Sequence, residues 1–587
     1  MCGICGYIGS KKNASAIVLK GLKQLEYRGY DSWGVVMVAD EQLLVEKHLG
    51  KIGSGVLKND SATSCAIGHT RWATHGGVTI ENTHPHLDDK REIALVHNGI
   101  IENYQELRKQ LQEKGYHFVS ETDTEVAVHL IAEYKKQGTF VEAVRRAFQV
   151  VQGLNAWVVI DLPSQQLIAV RNGSPLAFGQ DKTGFYIASD AAALSEYTDQ
   201  VYFLADGDLL SCEPATTTLY TIESMQPKNI GWQRLDVTTQ DLDLGDNPHF
   251  MIKEILEQPK VLQNIIDSSR PAVALYANNL DRELAFVGCG SAYHVALIGS
   301  YFFSLIAKKR CSAYVGSEFP QFRQLFEKDG FVTFLSQSGE TIDLLESVNV
   351  LKKQRLPFGA IVNRLGSSLE RSTENKLLLG AGPEQCVLAT KSFTAKIALL
   401  FLLAHEGAGS FEQGKKELIS MQRAVADVLS TSFIAEFIRP LATKLTPAEH
   451  LFIVGRGASY PVALEAALKI KEVTYIHTEG FAGGELKHGV IALIESGSPC
   501  IFLAPKDETY QSMVSTAIEI KSRGGWTIAL TDESNEVFDD CLLLRHTGLS
   551  TAITQSIVMQ LLAYEIALNL GRDPDKPRNL AKSVTVK

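Results

Sequence analysis

The sequence predicts a layered α+β domain followed by two α/β domains, each built on a parallel sheet with helices on both faces. Three observations carry this reading. Near the N-terminus, short apolar stretches at 34–39, 92–97 and 156–160 read as buried strands separated by turns. Helices are predicted over 13–26 and 124–137, the second entered through Ser120-Glu121-Thr122-Asp123-Thr124-Glu125, which supplies caps and charge for a helix start. In the C-terminal half the sequence repeats itself. Phe286-Val287-Gly288-Cys289-Gly290-Ser291-Ala292-Tyr293 matches Ile453-Val454-Gly455-Arg456-Gly457-Ala458-Ser459-Tyr460, and 334–341 matches 502–509 in nearly the same register. Each copy reads strand, Gly-x-Gly turn, helix, strand, polar loop, helix, and that alternation means a parallel sheet covered on both faces.

Composition bounds the function. The 587 residues suffice for three or four domains, with 45% apolar and 21% charged residues. A net charge of −10 offers no basic surface for nucleic acid or an anionic membrane. Nine scattered cysteines point to reduced thiols and a cytoplasmic protein. The longest purely apolar run, 397–404, is too short to span a bilayer, and residues 1–30 show no secretory signal.

The N-terminal Met1-Cys2-Gly3-Ile4 is the first candidate for chemistry. Removal of Met1 leaves a thiol and an α-amine on one residue, and the amine, with an ordinary pKa of about 7.7–8.0, can serve as the thiol's base. Three polar clusters follow: Arg28-Gly29-Tyr30-Asp31-Ser32, Gly68-His69-Thr70-Arg71-Trp72-Ala73-Thr74-His75-Gly76, and His97-Asn98-Gly99-Ile100-Ile101-Glu102-Asn103. Asn98-Gly99 is either a turn after a strand or a pair of donors aimed at an oxyanion. Arg71 offers a fork for a carboxylate. Asp123 is either an N-cap or the partner of a substrate ammonium. Cys2 and Cys5 lack the strand-to-helix setting of a redox pair. His69, His75, His84 and His86 lack metal-ligand spacing, so no metal is expected.

These motifs resemble the N-terminal-nucleophile (class II) glutamine amidotransferases. The resemblance implies a four-layer αββα glutaminase fold and hydrolysis of glutamine to ammonia. It makes Cys2 the nucleophile and Asn98 with Gly99 the oxyanion hole. Arg71 and Asp123 then hold the carboxylate and amine of glutamine, and Trp72, Thr74, His75 and His84 line the pocket.

Apolar periodicity lapses over 223–248, which reads as a linker. A helix is expected from His249, ending near Gln258-Pro259. The expected divisions are 2–222 for the glutaminase domain, 249–275 for a connecting helix, 276–415 and 442–577 for the two halves, and 578–587 for a tail. The repeated halves differ in one loop. Ser336-Gln337-Ser338-Gly339-Glu340-Thr341 is rich in hydroxyls and backbone N–H groups, a ready phosphate site or else a capping box from Ser338 to Thr341. Its counterpart, Ala504-Pro505-Lys506-Asp507, has lost an N–H and gained a carboxylate, so phosphate is expected in the first half alone.

The halves resemble tandem sugar-isomerase (SIS) domains of flavodoxin-like topology, and the joined architecture resembles the isomerizing glutamine–fructose-6-phosphate aminotransferases. Further motifs in common are Ser317-Glu318-Phe319, 389–394, 484–489 and 578–586. The resemblance implies L-glutamine and fructose 6-phosphate as substrates, the first step of the hexosamine route, no cofactor, and a homodimer or higher homo-oligomer. By it, His488 opens the sugar ring from the neighbouring subunit, Lys582 forms the Schiff base and Glu472 moves the proton. Cys289, Gly290, Ser291, Ser336, Gln337, Ser338, Thr341, Val387, Ala389 and Lys469 hold the sugar phosphate. Trp72, Leu580 and Ala581 wall an ammonia channel. The alternating apolar and polar tail is expected to dock in the isomerase halves. Ala292, Ala389, Ser392, Pro320 and Trp33 depart from the family pattern, and these departures bear on phosphate affinity and so on the identity of the sugar. A deglycase acting on another phosphosugar and a non-catalytic sugar-phosphate sensor are the competing readings. The first needs no Cys2 domain, and the second usually brings a DNA-binding helix pair.

Overall fold

The computed structural model describes residues 2–59, 61–235, 243–326 and 329–585. Met1 and the linker residues 236–242 lie outside the described residues. The chain divides into two compact units, one of residues 1–243 with 581–587 and one of 244–580.

The first unit has four layers. An eight-stranded and a seven-stranded antiparallel sheet stack through an apolar layer that includes Ile4, Val36, Ile67, Val96, Val158 and Leu210. Alternation explains this, since successive side chains of a strand face opposite ways and each sheet turns one apolar face to the other. Helix Ala14–Gln24 covers the outer face of the first sheet through Ile17, Val18 and Leu22. Helices Tyr104–Glu113, Thr124–Lys135 and Phe140–Val150 cover the second. The first and third of these were not expected. Tyr104–Glu113 buries only Leu107 and Leu111, so its apolar signal is a single pair one turn apart. Phe140–Val150 carries a full amphipathic stripe and an N-cap at Thr139, whose side chain accepts from Glu142 N. Trp33 stacks on the ring of His48.

The second unit contains two five-stranded parallel sheets of the same topology. In the first, strand Glu283–Gly288 lies between Cys311–Val315 and Gly330–Ser336, followed outward by Phe358–Val362 and Lys376–Leu378. In the second, His450–Gly455 lies between His477–Ala482 and Pro499–Leu503, followed by Trp526–Thr531 and Asp540–Leu543. Both sheets therefore run 2-1-3-4-5, the flavodoxin-like order that places ligands at the carboxyl ends of the strands.

A large apolar cluster joins the halves through two helices buried on every side, Lys391–Gly407 and Thr551–Asn569. Residues 548–569 are long and apolar enough to cross a membrane, but 89% of that window is buried inside the protein. The expected single helix after His249 is three: Phe250–Leu256, Gln258–Ser268 and Arg270–Ala277. Pro259 opens the second of these instead of ending the first, because the first turn of a helix needs no N–H from it.

Candidate active site

Cys2 leads into strand Gly3–Gly9, and its backbone is clamped. Its carbonyl accepts Arg28 Nε at 3.0 Å and Asn98 Nδ2 at 2.9 Å. The half-buried thiol accepts the Trp72 N–H, 3.2 Å away. Asn98 and Gly99 do not form a turn. They end strand Ile93–Gly99, paired with Ala156 and Asn155. Gly99 sits at φ 131, and a Cβ there would lie 2.1 Å from the Leu154 carbonyl oxygen, so only glycine fits.

Histidines surround this corner. His69 Nε2 lies 2.9 Å from the His97 carbonyl and 3.1 Å from Asn98 Oδ1, both acceptors, so that nitrogen carries the proton. The Asn98 amide is thereby turned with its NH2 toward Cys2. His97 Nδ1 and His84 Nε2 both meet the Thr124 hydroxyl, at 2.8 Å and 3.0 Å. Burial pushes His69 down to about 3 and also lowers His84, His86 and His97, so the network is neutral near neutral pH.

Arg71, at the end of strand Cys65–Arg71, donates to the carbonyls of His75, Gly76 and Gly77 at 2.5–3.1 Å and so shapes the loop after it. Asn82 and Glu121 brace that loop, with Asn82 Nδ2 donating to the Gly77 carbonyl and to Glu121. Asp31 accepts Ala73 N at 2.8 Å. Asp123 stands at the N-cap position of helix Thr124–Lys135 but makes no cap; its carboxylate accepts Ile101 N at 2.7 Å.

Two adjoining cavities share Cys2, Trp72, Thr74 and Gly99. One adds Arg71, His75, His84 and Asp123, the other Arg28, Asn98 and Thr585. All nine residues expected for glutamine chemistry thus line one continuous corner of the first unit. Sequence reading missed Arg28, Asp31, His97 and Thr124 as parts of it. The first two stood in a conspicuous polar cluster whose partners were not adjacent in sequence. Thr585 is a correction. The tail divides: Arg578 N donates to the Tyr475 hydroxyl and Leu580 packs on the apolar cluster of the isomerase halves as expected, whereas the residues from Ala581 to Thr585 group with the first unit. The polar residues Ser583 and Thr585 are buried and half-buried there, while the apolar Val584 is 57% exposed. Alternation gives the tail two faces, and it does not specify the surface that receives one of them.

In the second unit, strands Glu283–Gly288 and Gly330–Ser336 are parallel neighbours, so the turn 288–291 and the loop 336–341 open at the same end of the sheet. Gly288 admits no side chain, since a Cβ would sit 2.5 Å from the Ala292 carbonyl carbon. Cys289, its thiol pushed up to about 11 by burial, faces Gly316. Gly290 is at φ 54 and starts helix Ser291–Phe302. In the loop, Ser336 Oγ accepts Gly339 N and Ser338 Oγ accepts Glu340 N, at 2.9 and 3.1 Å. Thr341 is the N-cap residue of helix Ile342–Gln354 without a side-chain cap bond, so the capping-box alternative does not hold. The Gln337 carbonyl accepts Asn363 N. Val387 is buried, its N–H on the Asp575 carbonyl, and Ala389 is partly buried. Beside Ala389, the N–H groups of Thr390 and Ser392 and the Ser392 hydroxyl all bond Glu384.

Lys469 and Glu472 lie on helix Ser459–Thr474 with Nζ and Oε2 2.6 Å apart. Lys469 is only 1% exposed, so this is no surface ion pair. Its Nζ also donates to Ser291 Oγ at 3.1 Å and faces Glu465 at 3.4 Å, and Glu465 reaches His294 Nδ1 at 2.7 Å. Burial alone lowers a lysine; the two carboxylates reverse that and hold Lys469 above its ordinary value. Sequence reading missed Glu465 and His294, because a Glu and a His from different halves meet only in the fold. His488 is exposed in the turn Gly483–His488. Leu580 packs on the apolar cluster of the second unit, whereas Ala581 and Lys582 group with the first.

Fold and corner together define a glutamine amidotransferase joined to paired sugar-isomerase domains. Residues 69–196 match the glutamine amidotransferase domain family, and 281–406 and 444–570 each match the SIS domain family. The chain is 40% identical to a protein of Thermococcus kodakarensis named glutamine–fructose-6-phosphate aminotransferase [isomerizing]. It is 38% identical to proteins of the same name from Thermus thermophilus and Aquifex aeolicus, and all three alignments cover 100% of both chains. Among solved structures, the C-terminal domain of glucosamine-fructose-6-phosphate aminotransferase from Francisella tularensis aligns at a TM-score of 0.51 and 30% identity, over 57% of this chain and all of that one. The chain belongs to the family of isomerizing glutamine–fructose-6-phosphate aminotransferases.

Proposed function

We propose that this protein transfers the amide nitrogen of L-glutamine to fructose 6-phosphate and isomerises the product, releasing glutamate and glucosamine 6-phosphate. The observation that carries the reading is the corner holding Cys2, Asn98, Gly99, Arg71 and Asp123 in a chain that also carries two sugar-isomerase domains. The Cys2 thiol attacks the glutamine amide carbon, and its own amine takes the proton once Met1 is removed. Asn98 Nδ2 and the Gly99 N–H receive the oxyanion. Arg71 and Asp123 hold the two charged ends of the amino acid. Ammonia leaves, and water then hydrolyses the thioester to glutamate. In the second site the hydroxyls of Ser336, Ser338 and Thr341 hold phosphate, with Gln337, Cys289, Gly290, Ser291, Val387, Ala389 and Lys469 around the sugar. His488 from a second subunit opens the ring, Lys582 forms an imine with the open ketose, ammonia replaces it at C2, and Glu472 moves a proton from C1 to C2. Trp72, Leu580 and Ala581 wall the path of ammonia. The exposure of His488 supports a homodimer, and the scattered reduced thiols support a cytoplasmic home.

One assay tests the reading. Incubated with glutamine and fructose 6-phosphate, the protein should release glutamate and hexosamine phosphate in equal amounts. Glutamate without hexosamine phosphate would reject the sugar assignment. Borohydride with fructose 6-phosphate should label Lys582, and labelling at Lys469 or Lys487 alone would overturn that residue's role.

A further inference from the structure

We propose that His294 is a positioning residue for the isomerisation step, acting from the first sugar-isomerase half on the base carried by the second. The proposal rests on the reading of Glu472 as the group that moves the C1 proton. His294 lies on helix Ser291–Phe302, one turn after Ser291. Glu465, Lys469 and Glu472 lie along one face of helix Ser459–Thr474, at intervals of four and three residues.

Lys469 is shared unequally between two carboxylates. Its Nζ is 2.6 Å from Glu472 and 3.4 Å from Glu465. The reason is visible at the other end of Glu465, whose second oxygen is 2.7 Å from His294 Nδ1. His294 draws that carboxylate toward itself, and Ser291 Oγ, 3.1 Å from Nζ, steadies the ammonium from the same helix. Glu465 and Lys469 are 2% and 1% exposed, so water does not replace a lost partner. Coulomb attraction grows as the distance shrinks, and more steeply in a buried site. With His294 removed, Glu465 is released to turn both oxygens on Lys469. The ammonium then moves from Glu472, and the 2.6 Å contact that helps to fix the direction of that carboxylate is lost. His294 and Ser291 both flank the Gly-x-Gly turn at the ligand end of the first sheet, so the same helix start meets the sugar and orders the base.

The test uses the full-length enzyme with His294→Leu and His294→Asn, the latter keeping an N–H donor near the place of Nδ1. For each, kcat and KM for fructose 6-phosphate, glutaminase rate and the primary deuterium isotope effect with fructose 6-phosphate labelled at C1 are measured. His294→Leu should lower kcat for hexosamine phosphate about tenfold, a modest part of what an acid–base group supplies. It should also raise the isotope effect while leaving KM and glutaminase rate within twofold of the parent. His294→Asn should recover kcat to within about threefold of the parent, the loss of an intact bond being small. An unchanged kcat in His294→Leu, a change confined to KM, or no recovery in His294→Asn would overturn the proposal. Should His294→Leu not fold, His294→Gln, whose amide reaches past the place of Nδ1, takes its place with the same expectations. Glu472→Gln is measured beside them: if it still forms hexosamine phosphate at the parental rate, the assignment of the base fails, whatever His294 does.

Discussion

Around Cys2 the buried histidines are neutral and form the wall behind Arg71 and Asp123, whereas around Glu472 the buried side chains are charges paired with one another. The first corner buries His69, His84, His86 and His97, all held below their ordinary values by desolvation. The second buries Glu465 and Lys469. Burial pushes Glu465 up, but Lys469 and His294 outweigh it and hold the carboxyl below its ordinary value. The difference suits the proposed chemistries. A glutamine carries its own two charges, and a neutral wall lets Arg71 and Asp123 be the charges that meet them. Moving a proton along a sugar needs a carboxylate held in one direction, and a buried ammonium between two carboxylates supplies that. Each arrangement carries its own vulnerability, and the two can be separated by experiment.

The largest effect separates the sites outright. Cys2→Ala should abolish glutamine hydrolysis and leave fructose 6-phosphate binding intact by calorimetry. Retained Met1 in fully active enzyme, read from intact mass, would remove Cys2 from its role.

Next in size, Lys469→Met removes one member of the charged cluster and leaves two carboxylates facing each other. Breaking a buried pair costs about 3–5 kcal/mol. Denaturant unfolding should show that loss together with the disappearance of hexosamine phosphate formation, while glutamine hydrolysis by folded protein persists.

Ser338→Ala should raise KM for fructose 6-phosphate by an amount matching about 1.5–3 kcal/mol, the size of a hydrogen bond to a charged group. The matching loop of the second half provides the control. There Lys506 Nζ pairs with Glu533 at 2.7 Å, and Asp507 accepts from Thr509 N and its hydroxyl at 2.8 and 2.6 Å. That loop satisfies its own polar groups, so Lys506→Ala should leave KM unchanged. An equal rise in both variants would place phosphate in the second half as well.

The smallest effect is a pH dependence that the two clusters should not share. His69 titrates at about 3 when folded against 6.5 when exposed, so the unfolded chain takes up protons first as pH falls. The stability of the first unit is therefore complete above pH 6.5 and declines below it, by about 1 kcal/mol from His69 alone between 6.5 and 5.5. Glu465 is lowered from 4.5, so its contribution is lost only as pH falls below that value. Melting followed between pH 7 and 5 should show the first unit, with four lowered histidines, weakening more than the second, where burial also lowers His405. A loss in the second unit as large as that in the first would contradict the neutral-histidine account.

Much of this was legible in the chain. The layered first domain followed from short apolar strands interrupted by helices, and the twin sheets from a repeat that matched in register at Gly288 and Gly455. Cys2, Arg71, Asn98, Gly99 and Asp123 stood out because each has a chemistry that its motif concentrates. Helix Tyr104–Glu113 did not, since two buried leucines make a weak period. Neither did the start of a helix at Pro259, where local rules allow both an end and a beginning.

What the sequence alone determined, then, is the order of the layers, the repeat, and the residue types gathered in each motif, because these depend on periodicity and on neighbours in the chain. The tertiary structure decided which motifs meet. Arg28 reaches the Cys2 carbonyl over a separation of 26 residues, His69 reaches Asn98 over 29, and His294 reaches Glu465 over 171. It also decided that Asp123 turns to Ile101 instead of capping its helix, and that the end of the tail, from Ala581, groups with the first unit. Each of these rests on a polar group finding its partner after burial has removed water, and burial belongs to the packed fold and not to any segment of it.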